Sequence, residues 1–168
     1  MKMEKTAIAL MIALLNGTPA FANDSKIAYP EGYRLWTHLK SMLIEPGHPL
    51  ENPFQGLHHV YGNEKALKGL KEGKYPDGSV LVFDLLNYKQ EGRTIQEGDR
   101  KLVGVMTKDS KAYKATGGWG YEGFAGDSKS KRLVGDGGQG CYSLSSVNYN
   151  YRLTTIRILF AGLSGRSP

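Results

Sequence analysis

The sequence predicts an α+β domain with an antiparallel β-sheet, from three observations. Apolar residues recur with helical spacing along residues 33–44, so a helix is predicted there, ended by Pro46 and Gly47. Short apolar runs separated by turn residues predict strands farther along the chain. The resulting order of elements (α, β, α, β, β, α, β) contains no internal repeat and favours an antiparallel sheet packed with a few helices.

The other elements follow from local signals. Short apolar runs bounded by turn residues predict strands over residues 58–61, 79–88, 101–107 and 117–124, the last of them entered by a turn that its glycines permit. Asn63 is predicted to cap a second helix, which ends near Lys71 and is closed by Gly73. A short helix is predicted over residues 109–113, and the polar residues 92–98 are predicted to form a loop.

Composition excludes several classes of protein. The chain has 168 residues, 40% hydrophobic and 23% charged, which excludes long-range disorder, collagen-like repeats and a coiled coil. Its net charge of +6 is spread in short clusters, so no nucleic-acid partner is predicted. Cys141 is the one cysteine, which excludes an intramolecular disulfide framework and a zinc site built from cysteine pairs.

The N-terminus has the features of a secretory signal peptide. Lys2 and Lys5 give a positive start, residues 7–15 are apolar, and residues 20–22 (Ala-Phe-Ala) provide a cleavage site. A run of nine apolar residues is too short to span a bilayer, which needs about 20. We therefore predict a signal peptide over residues 1–22, cleavage after Ala22, a periplasmic or secreted protein and no membrane anchor.

Five sequence blocks, in the same order along the chain, resemble the cytochrome P-460 family. They are YPEGYRLWTHLKSML (29–43), HHVYGNEKA (58–66), YPDGSVLVFDLL (75–86), KLVGVMTKD (101–109) and TGGWGYEGFAGD (116–127). The resemblance implies a periplasmic or secreted c-type haem protein, usually a homodimer, whose sheet and helices enclose a five-coordinate haem. One branch of the family oxidises hydroxylamine, and the cytochrome c-prime-beta branch binds small gases such as nitric oxide.

The haem motif of that family is incomplete in this chain. In the motif, C-x-x-C-H, two thiols bind the haem covalently and the histidine ligates the iron. The resemblance makes Cys141 the remaining haem attachment, but Leu144 and Ser145 stand where the second cysteine and the histidine belong, and no histidine follows His59. Two interpretations stay open: a haem c protein, and a haem-free, inactive remnant of the family.

A frameshift is our leading hypothesis for the broken motif. Residues 144–146 can be encoded as CTG TCA TCA, and removal of the first base from that reading leaves TGT CAT CA, which encodes Cys-His. The same shift, applied to residues 156–160 written as ATA CGT ATT CTC TTT, gives Tyr-Val-Phe-Ser, which the family typically carries just after its motif. It also explains why no acidic residue follows Asp136. We therefore predict a family-like domain over residues 23–143 and an aberrant tail over 144–168.

Phe83 is a candidate residue of the distal haem pocket. In the hydroxylamine-oxidising branch, a lysine in the strand after the Pro-Asp-Gly turn is cross-linked to the porphyrin, and the resemblance places Phe83 at that position. Phenylalanine cannot form the cross-link and offers no hydrogen bond to a polar ligand, which suits the binding of uncharged gases. The alternative is that Phe83 is an ordinary core residue.

The histidines give no clear metal site. His58 and His59 are adjacent on a predicted strand and point to opposite faces, so they cannot both ligate one metal without distortion. One of them would face the haem pocket, or it is a hydrogen-bonded structural residue, which we prefer. His38 is predicted to lie on the polar face of its helix and His48 in a loop, without a role. No arrangement typical of a hydrolase stands out.

Overall fold

The computed structural model describes residues 27–146, so the predicted signal peptide and residues 147–168 lie outside the described residues. Its elements, in chain order, are a 3-10 helix (Tyr33–Leu35), β1 (Thr37–Ile44), α1 (Glu51–Phe54), β2 (Gly56–Gly62), α2 (Glu64–Glu72), β3 (Val80–Glu91), β4 (Thr94–Lys108), a second 3-10 helix (Lys114–Thr116), β5 (Trp119–Ala125) and α3 (Gln139–Ser146). The α+β class is therefore confirmed.

The five strands form one antiparallel sheet in the order β1-β2-β3-β4-β5. Because successive side chains of a strand point to opposite sides, the two sides of the sheet carry different residues. We call one side the Phe83 face, defined by Phe83 and Leu85 of β3, and the other the Asp84 face, defined by Val82 and Asp84. The predicted strands over the four apolar runs correspond to β2, β3, β4 and β5 and are confirmed.

The second predicted helix is also confirmed, together with both of its ends. The Asn63 side chain accepts a hydrogen bond from the backbone N–H of Ala66 at 2.9 Å, which is the N-cap interaction. After α2, Gly73 has φ of 72°, a left-handed conformation that glycine adopts without steric cost. Asn63 therefore caps the start of α2 and Gly73 ends it, as the sequence predicted.

The helix predicted over residues 33–44 is wrong. The first residues form a 3-10 turn, and the rest form β1, which pairs with β2 along its length. Leu35, which belonged to the predicted apolar stripe, is 92% exposed, whereas Ile44 is buried. An isolated helix of this length is marginal in water, so pairing with β2 decides the conformation. His38 is consequently an exposed residue of an edge strand and not of a helix.

Two shorter predictions also need correction. The loop predicted over residues 92–98 is a hairpin, because β3 continues to Glu91 and β4 begins at Thr94. Gly92 makes the turn with φ of 57°. The hairpin tip is exposed, so its polar residues carry no apolar pattern that would reveal strands. The helix predicted over residues 109–113 is a turn instead, and a 3-10 helix follows it.

Candidate functional site

Phe83 lies in a buried apolar cluster on its face of the sheet. Phe83 and Leu85 form the centre of this cluster, and the partly buried Met42, Phe54 and Leu102 pack against them. Phe83 itself is 7% exposed. None of these five side chains carries an N–H or O–H group, so the cluster offers no strong hydrogen-bond donor. Burial among described residues is compatible with both interpretations of Phe83, and its place in a pocket stays a prediction.

Two glycines lie in register with Phe83 on the neighbouring strands. Gly104 of β4 pairs with Phe83, and Gly123 of β5 pairs with Gly104. A Cβ atom at Gly104 would lie 3.0 Å from Cδ1 of Phe83. A Cβ atom at Gly123 would lie 3.3 Å from Cβ of Leu133. The missing side chains therefore allow the Phe83 ring and Leu133 to lie close to the backbone of the sheet.

We expect Gly104→Val to destabilise the protein by about 1–3 kcal/mol, because its side chain must displace the Phe83 ring. Chemical denaturation followed by circular dichroism measures the change. Gly135→Ala is the control, since a Cβ atom there meets nothing within 4 Å, and its effect should stay within about 0.5 kcal/mol. Equal stability of Gly104→Val and the parent protein would show that the Phe83 ring is not fixed against the backbone.

His58 lies beside Phe83 on the same face and is completely buried. The two rings have their centroids 5.0 Å apart and planes inclined by 33°. Nε2 of His58 lies 2.6 Å from the carbonyl oxygen of Phe54. Since a carbonyl oxygen only accepts, Nε2 must carry the proton and donate it, which leaves a lone pair on Nδ1. That Nδ1 atom has no hydrogen-bond partner among the described residues.

Burial also sets the protonation state of His58. Desolvation lowers its pKa to about 4, and the nearby Lys101 contributes in the same direction, while the bond to the Phe54 carbonyl opposes the shift. At neutral pH the ring is therefore uncharged. The preferred prediction for this residue, a hydrogen-bonded structural histidine, holds for Nε2 but not for Nδ1. The identity of its partner, a carbonyl four residues away, could not be read from the sequence.

His59 lies on the Asp84 face, so the prediction that the two histidines point to opposite sides is confirmed. Its Nδ1 is 2.7 Å from Oγ of Ser41, and its Nε2 is 3.0 Å from Oε1 of Glu97. Nε2 of His38 is 2.9 Å from the same Ser41 oxygen. His48, in the loop after β1, accepts a hydrogen bond at Nδ1 from a backbone N–H two residues away. All four histidines therefore have a polar neighbour, while Nδ1 of His58 and Nε2 of His59 are buried atoms that make no hydrogen bond of normal geometry.

The centre of the Asp84 face is a buried ion cluster. Asp84 is fully buried and lies 3.1 Å from Nε of Arg34 and 2.7 Å from Nε of Arg100. Arg34 also donates to both carboxylate oxygens of Glu97 at 2.7 Å, and Arg100 also pairs with Asp127. The cluster thus ties the segment before β1 to the sheet. A lone aspartate within an apolar strand signals such pairing, because a buried charge needs a partner.

Cys141 lies in the first turn of α3 and is half-buried. Burial raises the pKa of its thiol, and the nearby Asp136 carboxylate raises it further. Asp136 holds the start of α3 by accepting backbone hydrogen bonds from Gly138 at 2.9 Å and Gly140 at 2.7 Å. A Cβ atom at Gly138 would lie 2.9 Å from the side chain of Tyr121. Because Tyr121 belongs to the Phe83 face, α3 begins at the β5 edge of that face.

Within residues 27–146, no three or more His, Cys, Asp or Glu side chains form a group that could hold a metal ion. No helix in that described range is long and apolar enough to cross a membrane. The motif positions that lack a cysteine and a histidine, residues 144 and 145, lie on α3, the helix that carries Cys141. The predicted boundary of the aberrant tail therefore falls within a helix.

Two comparisons with known proteins bear on this site. The family model described as cytochrome P-460 matches residues 30–143, which is more than half of the chain. The match covers all five strands and the first turn of α3, and it ends immediately before Leu144. No curated protein matches the chain.

Proposed function

Because the chain belongs to the cytochrome P-460 family of haem-binding cytochromes, we propose that it is an exported c-type haem protein that binds small uncharged gases such as nitric oxide. The observation that carries the choice of ligand is the buried apolar cluster around Phe83. The family resemblance places Phe83 at the position of the cross-linking lysine of the hydroxylamine-oxidising branch. Membership of the family supports haem as the cofactor. The covalent attachment of the haem and the choice of a gas as its ligand are our proposal.

The residues of the Phe83 face fit a porphyrin. A porphyrin is largely apolar, and the cluster around Phe83 offers it an apolar surface. His58 lies beside this cluster as a neutral, completely buried imidazole whose Nε2 donates to the Phe54 carbonyl. Cys141, on the helix that begins at the edge of this face, supplies one thiol for a thioether bond. When bound, haem would supply an iron atom at which a small gas binds.

Phe83 distinguishes the two branches of the family. Its phenyl ring has no nitrogen that could be cross-linked to the porphyrin, so the modification of the hydroxylamine-oxidising branch cannot form at this position. The surrounding Met42, Phe54 and Leu102 provide no N–H or O–H group that would stabilise a polar substrate. A diatomic gas needs no such group. The side chains of this pocket wall therefore favour gas binding over hydroxylamine oxidation.

A second candidate function follows from Leu144 and Ser145. Neither side chain can form a thioether or ligate iron as the motif cysteine and histidine do. If Cys141 alone does not retain haem, the chain is a haem-free and inactive remnant of its family. This candidate differs from the first in one measurable property, the presence of bound haem.

Covalent haem attachment separates the two candidates. The full-length chain is expressed in a bacterial host with a c-type cytochrome maturation system, and the purified protein is stained for haem after denaturing electrophoresis. We expect a haem-stained band and a Soret absorption peak for the parent protein. In Cys141→Ser the stained band should disappear, because no other cysteine is present. A parent protein with neither a stained band nor a Soret peak would establish the haem-free remnant.

We also propose that the protein acts in the periplasm as a homodimer, as the family resemblance implies. Fractionation of the expressing cells locates the protein and shows whether the signal peptide has been removed. Light scattering coupled to gel filtration gives the mass of the purified protein. A mass of one chain, or retention of the protein in the cytoplasm, would contradict this part of the proposal.

A further inference from the structure

Ser41, His59 and Glu97 form a chain of polar contacts on the Asp84 face. Ser41 of β1 pairs directly with His59 of β2, and Oγ of Ser41 lies 2.7 Å from Nδ1 of His59. Nε2 of His59 lies 3.0 Å from Oε1 of Glu97, which belongs to β4. A hydroxyl, an imidazole and a carboxylate in this order are the groups of a catalytic triad, which is recognised by geometry and not by sequence position.

The charges around His59 determine which of its nitrogens carries the proton. Arg34 donates to both carboxylate oxygens of Glu97 at 2.7 Å, and this contact holds the pKa of Glu97 below its usual range. Glu97 is therefore ionised at neutral pH, and its oxygen favours the tautomer of His59 that has a proton on Nε2. Nδ1 of His59 then has a lone pair, which accepts the hydroxyl proton of Ser41.

A second histidine supports the same orientation of the Ser41 hydroxyl. Nε2 of His38 lies 2.9 Å from Oγ of Ser41. Because a serine hydroxyl has a single proton, one histidine must donate to the oxygen while the other accepts from it. The tautomer of His59 that Glu97 favours makes His38 the donor and His59 the acceptor. The hydroxyl proton of Ser41 therefore points at the group that can remove it.

Ser41 is open to solvent while its base is largely buried. Ser41 is exposed on β1, an edge strand, so an ester reaches its oxygen from solvent. The His59 side chain is 14% exposed, and desolvation lowers its pKa from the usual value of 6.5, so the ring is neutral at neutral pH. The contact between Nε2 and Glu97 is short but poorly aligned, as catalytic hydrogen bonds often are before a substrate binds.

We propose that Ser41 is an activated nucleophile that accepts acyl groups from small aryl esters, an esterase activity that does not depend on bound haem. Oγ of Ser41 attacks the ester carbonyl carbon while its proton passes to Nδ1 of His59. The bond to the alcohol oxygen then breaks, and the proton moves to the departing alcohol. Water attacks the acyl-serine through the same base, which releases the carboxylic acid and restores Ser41. Nε2–H of His38 lies beside Oγ and is a donor for the oxyanion.

The test uses the full-length protein and two probes, para-nitrophenyl acetate in a buffer with EDTA and an alkyl fluorophosphonate. Release of nitrophenolate measures turnover, and mass spectrometry of tryptic peptides locates the serine that the fluorophosphonate modifies. Ser41→Ala removes the nucleophile, and His59→Gln replaces the base with a neutral polar side chain. Ser110→Ala is the matched control, because Ser110 is exposed and its hydroxyl contacts Asp77 and Lys108 instead of an imidazole.

We expect the parent protein and Ser110→Ala to hydrolyse the ester at the same rate, and the fluorophosphonate to modify Ser41. Ser41→Ala should lose this activity, and the rate should fall at least about a hundredfold in His59→Gln. Equal rates in Ser41→Ala and the parent would overturn the inference. So would a parent protein in which Ser41 stays unmodified, a measurement that does not require any variant to fold.

Glu97→Gln tests the positioning role of Glu97 through the pH dependence of the reaction. In the parent the rate should rise with pH as His59 loses its proton, with a midpoint below 6.5. The carboxylates of Glu97 and Asp84 raise the pKa of His59, and the charges of His38 and Arg34 lower it. Loss of the Glu97 charge should therefore move the midpoint to lower pH and reduce the maximal rate. An unchanged midpoint would overturn the assignment of Glu97 to the triad.

Discussion

Restoring the haem motif with the double substitution Leu144→Cys and Ser145→His is expected to increase covalently bound haem severalfold. The first change provides the thiol for a second thioether bond, and the second provides the motif's iron ligand. Both fall on α3, which carries Cys141 and continues through residues 144 and 145. Each additional bond to the cofactor favours the haem-bound state over the haem-free one. The ratio of haem absorbance to protein absorbance, before and after denaturation, measures the change.

Single substitutions separate the two contributions. Leu144→Cys alone should strengthen the covalent attachment and leave the axial ligand unchanged, whereas Ser145→His alone should change the ligand spectrum without adding a thioether. Ser145→Asn serves as a polar control that cannot ligate iron in the manner of histidine. If the double variant bound no more haem than the parent, the helix would not be a degraded haem attachment, and the frameshift hypothesis would lose its main support.

Loss of the carboxylate in Asp84→Asn is expected to lower the free energy of unfolding by about 3–5 kcal/mol, which is the usual effect of breaking a buried ion pair from one side. Asp84 is completely buried between two guanidinium groups, and the variant leaves Arg34 and Arg100 without their shared counter-ion. Denaturant titration of the purified protein measures this loss. The expected loss of stability is large because Asp84 is buried; the same ion pair at the surface would contribute little.

Asp127→Asn provides the matched control for Asp84→Asn. Asp127 pairs with the same Arg100, but its side chain is 77% exposed, so solvent screens the interaction. We expect a loss below about 1 kcal/mol for this variant. Similar losses in both variants would show that the Asp84 cluster is not the electrostatic anchor of the segment before β1.

The sequence predicted most of the sheet because its strands carry local signals. Apolar runs between turn residues marked β2 to β5, and Asn63 marked the start of α2. Two errors arose where tertiary pairing determines the conformation. Residues 33–44 have helical spacing, yet β1 forms because β2 offers it a hydrogen-bonded edge. The polar residues 92–98 form the turn and the first residues of β4 in the β3–β4 hairpin. Both sides of the hairpin are exposed to solvent there, so the sequence has no apolar pattern that would predict strands.

The candidate site was predicted in outline from the resemblance and from residue types, which singled out Phe83 and Cys141. His58 was recognised as a strand residue, but the hydrogen bond of its Nε2 depends on the path of the backbone at Phe54. The Asp84 cluster depends on residues from three separate segments. Such features arise from packing between segments that are distant in sequence, and a pattern within one segment does not contain them.

The pyridine haemochrome spectrum of the purified full-length protein tests the central claim most directly. The position of its α band depends on how many vinyl groups of the haem have become thioethers. We expect one haem per chain, with a band between those of haem c and of haem b, because Cys141 is the single available thiol. A protein that gives no haemochrome after expression with a working maturation system would contradict the claim and identify the chain as a haem-free remnant.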